Sequence, residues 1–233
     1  MNEIEFIEYL KELNIEINEE QLKKLRYYSD FLIEYNKKVN LTSIINKKDI
    51  YLKHFFDSLT LYKAIDLKKV NTLCDVGTGA GFPGVVIKIL FPNIEVTLIE
   101  SINKKTVFLK ELVKKLKINI EIINIRAEEY SKNNKNKYDL VTCRALSKLN
   151  TISEICIPMT KIGGYFIPMK GEINSEIENI EYLKLLNSKI EKIYEFYLPI
   201  ENSKRSLIKI NKYKKCDEKY PRSYKNIVDN PLK

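Results

Sequence analysis

Residues 74–84 read CDVGTGAGFPG, with glycine at 77, 79, 81 and 84, four of the seven in the chain. The run follows NTLCDV (71–76), which has the length and composition of a buried strand, and precedes GVVIKIL (84–90), which reads as a helix. Glycine tolerates positive φ and lets the backbone approach a ligand with no Cβ in between. A helix start offers free N–H groups and the positive end of the helix dipole, and Pro83 near that start gives up an N–H that has no partner there anyway. A Gly-Lys-Ser/Thr phosphate loop is excluded, because Gly84 is followed by Val85-Val86. Gly79-Ala80-Gly81-Phe82-Pro83-Gly84 satisfies the GxGxxG of dinucleotide-binding turns, and Glu100 closes the next strand, where it can hold ribose hydroxyls. Dinucleotides and smaller adenosine cofactors both remain open.

Outward from this turn, short apolar runs alternate with amphipathic stretches. EVTLIE (95–100), IEIINI (120–125), YDLVTCRA (138–145) and GGYFIPMKG (163–171) read as strands, with further strands at 189–197 and 206–211. KKTVFLKELVKKLK (104–117) reads as a helix capped by Asn103, SEICIPMTK (153–161) as partly helical, and 174–187 as a helix. Such alternation predicts an α/β fold with a mainly parallel, doubly wound, Rossmann-like sheet. Ahead of it, Leu22, Leu25, Tyr28, Leu32, Tyr35 and Val39 form one apolar helical stripe. Asp49 is placed to cap a helix over 50–65. The organisation expected is an N-terminal helical segment (1–65) packed on the core, a cofactor-binding domain (66–212) and a basic, irregular tail (213–233).

The 233 residues carry a net charge of +9, and from Glu201 to Lys233 ten Lys/Arg face four Asp/Glu. A basic balance favours a polyanionic partner, nucleic acid above all, although a composition rich in Lys, Asn and Ile raises charge by itself. No run approaches the length of a membrane span, and the N-terminus lacks the pattern of a secretory signal. Four scattered cysteines without a CxxC pair argue against a zinc site and for a reducing, cytoplasmic compartment. His54 is the single histidine, so a multi-histidine metal site is excluded and a Ser/His hydrolase disfavoured.

Asp75 stands two residues before Gly77, and the resulting acidic-x-Gly-x-Gly-x-Gly resembles motif I of the class I S-adenosylmethionine methyltransferases. YNKKVNLTSI (35–44), HFFDSL (54–59), DVGTGAGFPGV (75–85), RAEE (126–129), RALSKL (144–149), MKG (169–171) and YPRSYKNIVDNPL (220–232) follow in order along most of the chain. Together they resemble the bacterial small-subunit rRNA guanine-N7 methyltransferase family, also called the glucose-inhibited division protein B family. The resemblance implies methyl transfer from S-adenosylmethionine to N7 of one guanosine in 16S rRNA, the small ribosomal subunit being the partner. By position it implies that Gly77, Gly79 and Phe82 line the methionine and ribose side. Glu100 would bind ribose, Ala127 and Glu128 adenine, and Arg144, at the reacting centre, would be both cofactor-binding and catalytic. His54, Arg126, Lys170 and Arg205 are the RNA candidates. No metal is expected, and nothing demands more than a monomer. Where the family has a Gly-Lys-Arg stretch after the second strand, this chain has Asn103-Lys104-Lys105, which keeps charge but loses a bidentate fork.

Guanine N7 carries a lone pair and no proton, so its methylation needs positioning and electrostatics rather than a general base. The sequence agrees: it has no (Asp/Asn/Ser)-Pro-Pro-aromatic motif and no Pro-Cys pair. Cys143 fits a buried strand end better than a nucleophile. His54 and Asp57, three apart on a predicted helix, share a face. Two rivals remain: an NAD(P)-dependent oxidoreductase on the same glycine loop, and a non-catalytic rRNA-binding assembly factor.

Overall fold

A computed structural model of the chain describes residues 1–144, 146–173 and 176–233. Seven strands form one sheet in the order β3-β2-β1-β4-β5-β7-β6. They are β1 (Thr72–Val76), β2 (Glu95–Glu100), β3 (Glu121–Asn124), β4 (Tyr138–Arg144), β5 (Thr160–Lys170), β6 (Ser188–Tyr197) and β7 (Lys204–Lys212). The first five pair in parallel, and β7 runs antiparallel between β5 and β6. The strand order reverses between β1 and β4, and such a switch point opens a crevice at the carboxyl ends of the strands. Register brings those ends level: Val76 pairs with Ile99 and Cys143, and Arg144 with Met169. Gly77, Glu100, Arg144 and Lys170 therefore stand along one edge.

The central strands are apolar because both faces are covered. One face carries Leu73, Leu98 and Leu140 in a core shared with the Gly84–Leu90 and Asn103–Leu116 helices and the N-terminal helices. The other carries Cys74, Val76, Ile99, Val141 and Cys143 against the Leu149–Cys156 helix and the C-terminal residues Cys216, Tyr220, Ile227 and Leu232. All four cysteines are buried and unpaired. No helix of the described residues is long and apolar enough to cross a membrane.

Helices α1 (Glu3–Glu12) and α2 (Glu19–Asn36) each start with a capping box, Asn2 with Glu5 and Asn18 with Gln21. The α2 stripe is buried at Leu22, Leu25, Tyr28 and Leu32. Its partner is the glycine turn itself. Tyr28 Oη donates to Ala80 O, and the Tyr28 ring stacks on Phe82 at 5.2 Å.

Some elements depart from expectation. Asn46, not Asp49, caps the helical run that follows, because its side chain accepts from Lys48 N while Asp49 lies inside the first turn. Asn103 opens its helix rather than capping it, and Ile102 holds the cap position without a side-chain bond. The helix expected over 174–187 is confined to Tyr182–Leu185, with Asn174 and Ser175 outside the described residues. The tail expected to be irregular contains a helix, Tyr224–Asp229, capped by Ser223.

Candidate active site

Two clefts open at the carboxyl edge, on either side of the loop after β4. The first is lined by Gly77, Ser101, Arg126, Ala127, Glu128, Leu146, Ser147 and Tyr224, with an aliphatic wall that includes Ile125, Ile152 and Ile155. The second, of about 400 Å³, is lined by Thr42, Ser43, Ile44, Lys53, His54, Asp57, Arg144, Met169, Lys170, Gly171 and Arg205. Lys170 Nζ donates to Ser147 O at 2.8 Å and ties their rims together.

The glycine turn forms the seat of the first cleft. Gly77 and Gly79 have φ of +65° and +62°, in the left-handed region. A Cβ on Gly77 would come within 2.7 Å of Leu146, whereas one on Gly79 would meet nothing within 4 Å. Open space beside a glycine that must keep positive φ is what a close ligand would fill. Glu100, buried at the end of β2, accepts Gly79 N–H at 3.0 Å on one oxygen and Ile102 N–H at 2.8 Å on the other. Each oxygen keeps a lone pair for a hydroxyl donor.

Asp75 lies fully buried beneath the turn. Its Oδ2 accepts from Thr78 Oγ1 at 2.6 Å and Gly84 N–H at 2.8 Å, while Oδ1 has no partner among the described residues. Burial pushes this carboxyl up to about 6, against the two donors, which pull it down. A seat with an open glycine and the two acceptor oxygens of Glu100 fits a polar adenosine cofactor carrying hydroxyl and amino groups, with Asp75 holding the turn from beneath.

The second cleft is built on a continuous helical run, residues 47–63, in which Ile50–Phe56 is π-helical. A π-turn re-aims side chains relative to an α-helix and recurs at functional sites. Here His54 stacks on Phe82 at 4.2 Å, and its Nδ1 accepts from Arg144 at 2.9 Å. Nδ1 can accept from a permanently charged guanidinium only if it is unprotonated, so the proton sits on Nε2 and is donated to Thr42 Oγ1 at 3.1 Å. Burial and the adjacent Arg144 charge push the imidazole down to about 3. Arg144 also donates to Lys53 O at 2.7 Å and to Asp57 at 3.1 Å, and Asp57's other oxygen accepts from Arg205 at 3.0 Å. Two guanidiniums share one buried carboxylate, so the cluster keeps a net positive charge.

Gly77, Ala127 and Glu128 thus line the first cleft, with Gly79 and Glu100 at its seat. Arg126 joins them, its Nε 3.0 Å from Glu128, rather than the other RNA candidates. His54, Arg144, Lys170 and Arg205 meet in the second. Phe82 lines neither cleft among the described residues. Tyr28 and His54 cover its two faces and Arg144 lies 5.2 Å from its ring. Lys170 is held by Glu176 at 2.7 Å as well as by Ser147. Thr42 and Tyr224 lie within 35–44 and 220–232, two of the stretches that carry the family resemblance, and no local sequence signal gives either a role of its own.

A family model described as "GidB: rRNA small subunit methyltransferase G" matches residues 21–208. The chain belongs to this family. It is 43% identical to ribosomal RNA small subunit methyltransferase G of Lysinibacillus sphaericus and 42% identical to that of Bacillus subtilis, over 95% of each chain in both cases. Among solved structures it resembles the PH0226 protein of Pyrococcus horikoshii (TM-score 0.54, 17% identity, 77% of this chain and 98% of that one) and the StiE O-MT domain (0.52, 12%, 68% and 74%). At these identities the likeness is one of fold, and it agrees with the class I methyltransferase architecture. The protein is a methyltransferase of the rRNA small subunit methyltransferase G family, and the oxidoreductase alternative falls.

Proposed function

We propose that the protein transfers a methyl group from S-adenosylmethionine to N7 of a guanosine in 16S rRNA of the small ribosomal subunit, as a cytoplasmic monomer without a metal. The observation that carries the reading is Arg144, which ends β4 and lines a cationic cleft that offers no free base among the described residues. The only histidine is neutral, with both ring nitrogens engaged. N7 has no proton to lose, so such a site suits it.

When bound, the cofactor supplies an activated sulfonium methyl. Gly77, Gly79, Glu100, Ala127 and Glu128 are proposed to hold it in the first cleft. Arg144, fixed by His54, Lys53 O and Asp57, presents its charge in the second cleft. Arg144 and Arg205, sharing the single carboxylate of Asp57, leave net positive charge in the second, where phosphates and an electron-rich guanine edge are favoured, and Lys170 lines it as an ion-paired donor. Fixing these groups before the reactants arrive lowers the orientational cost of the transfer.

The test is transfer of labelled methyl from S-adenosylmethionine to 30S subunits lacking N7-methylguanosine, with Arg144→Ala as control. Label recovered as N7-methylguanosine in 16S rRNA, and lost in the control, supports the reading. Cofactor binding without RNA labelling would sink the substrate assignment and favour an assembly factor.

A further inference from the structure

The end of the chain is built into the first cleft. Glu154, fully buried in the Leu149–Cys156 helix, accepts from Arg222 three times: from N at 3.0 Å, Nε at 2.8 Å and NH2 at 2.7 Å. Asn150, on the same helix, donates to Leu232 O at 3.1 Å, and Ile227 is fully buried. That helix also gives Ile152 and Ile155 to the cleft wall. Two residues beyond the Arg222 anchor, Tyr224 reaches the cleft, and the Arg126 guanidinium lies 4.5 Å from the centre of its ring. Arg126 is in turn held by Glu128.

We infer that Tyr224 is a cofactor-binding residue that supplies an aromatic wall at the adenine end of the cleft, with the C-terminal segment clamped to the core in order to present it. This rests on the adenosine-cofactor reading above. The rest of the lining is aliphatic or polar, and among the described residues Tyr224 is its one aromatic ring. Tyr224 is 42% exposed although it is flanked by a triple hydrogen-bond anchor and a cation–π contact. Such fixation of a part-exposed ring is unneeded for packing and suits a face that receives a flat base. Removing an aromatic partner from a stacked base weakens binding by about 5- to 150-fold.

Calorimetric titration of the full-length protein with S-adenosylhomocysteine tests this. Tyr224→Ala is expected to weaken binding by about 5- to 150-fold with an unchanged melting temperature, and Tyr224→Phe to restore most of it. Val228→Ala, an exposed change in the same short helix, is expected to bind as wild type. Wild-type affinity in Tyr224→Ala, or an equal loss in Val228→Ala, overturns the role of Tyr224 and leaves the cofactor reading intact. A wild-type protein that binds no S-adenosylhomocysteine overturns both.

Discussion

Arg144 donates to Nδ1 of His54 at 2.9 Å, so a permanent cation and a histidine share a hydrogen bond that exists only while the histidine is neutral. Protonation would replace it with two like charges in contact. Burial first, and then this neighbouring charge, hold the imidazole near 3 when folded against 6.5 when unfolded. Between those values the unfolded chain binds a proton that the folded chain refuses. The contribution of His54 to stability therefore falls as pH drops, by about 1.4 kcal/mol per unit. Asp75 has the opposite sign. Its folded carboxyl titrates near 6 against 3.8 unfolded, so from pH 6 down to 3.8 the folded form binds the proton and gains stability. The two slopes oppose each other over most of that window. Urea unfolding at pH 6.0 and ~4.5 is expected to show the destabilisation by His54→Gln shrinking on acidification while that by Asp75→Asn grows. Movement of both in the same direction would show that one of the two charge states is misassigned.

Asp57 is the counter-ion common to Arg144 and Arg205. Its removal leaves two guanidiniums around an emptied buried position, and breaking a buried pair in this way costs about 3–5 kcal/mol. Asp57→Ala is expected to lose stability on that scale by urea titration and to lose methyl transfer. Arg205→Ala leaves Asp57 paired with Arg144 and is expected to cost about 1 kcal/mol. Equal costs would mean that the two arginines do not depend on the shared carboxylate.

Local chemistry was readable in the chain, and long-range pairing was not. β1, β2 and β4 announce themselves because strands buried on both faces are short apolar runs, and the glycine turn because only glycine holds positive φ there cheaply. Arg144 is legible as a strand-end residue. By contrast, Asp57 and Arg205 lie 148 positions apart, and no local signal couples them. The face on which His54 sits depends on π-turns that an α-helical period does not foresee. Asn46 rather than Asp49 is the cap, and because either residue type serves, composition alone does not choose between them. The tail looked irregular because six helical residues carry too little periodicity to register. It is held by apolar burial of Tyr220, Ile227 and Leu232 and by the Arg222–Glu154 pair, whose partners lie 68 positions apart.

The cationic cleft predicts salt-sensitive RNA binding. Each phosphate contact adds about −0.7 to −0.9 to the slope of log K against log salt. Arg205→Ala is expected to weaken binding of the 30S subunit and to reduce that slope by about 1. A change in affinity with no change in slope would place Arg205 on the base or in the scaffold rather than on phosphate.

Gly79 and Gly84 separate the two duties of the turn. A Cβ at Gly84 would overlap Leu98 Cδ2 and come within 3.0 Å of Asp75 Oδ2, so Gly84 is there for packing of helix on strand. Gly84→Ala is expected to cost about 1–3 kcal/mol as overpacking and to lower the melting temperature accordingly. A Cβ at Gly79 meets no protein atom, so Gly79→Ala carries only the strain of φ +62°, about 1 kcal/mol. That Cβ would project into open space beside the N–H that Glu100 holds. Gly79→Ala is therefore expected to stay folded while weakening S-adenosylhomocysteine binding by at least about tenfold, a loss of about 1.4 kcal/mol. Calorimetry and thermal unfolding on the two variants check this together. If Gly79→Ala binds as wild type, the open side of the turn does not face the cofactor, and the seat must lie elsewhere along the carboxyl edge of the sheet.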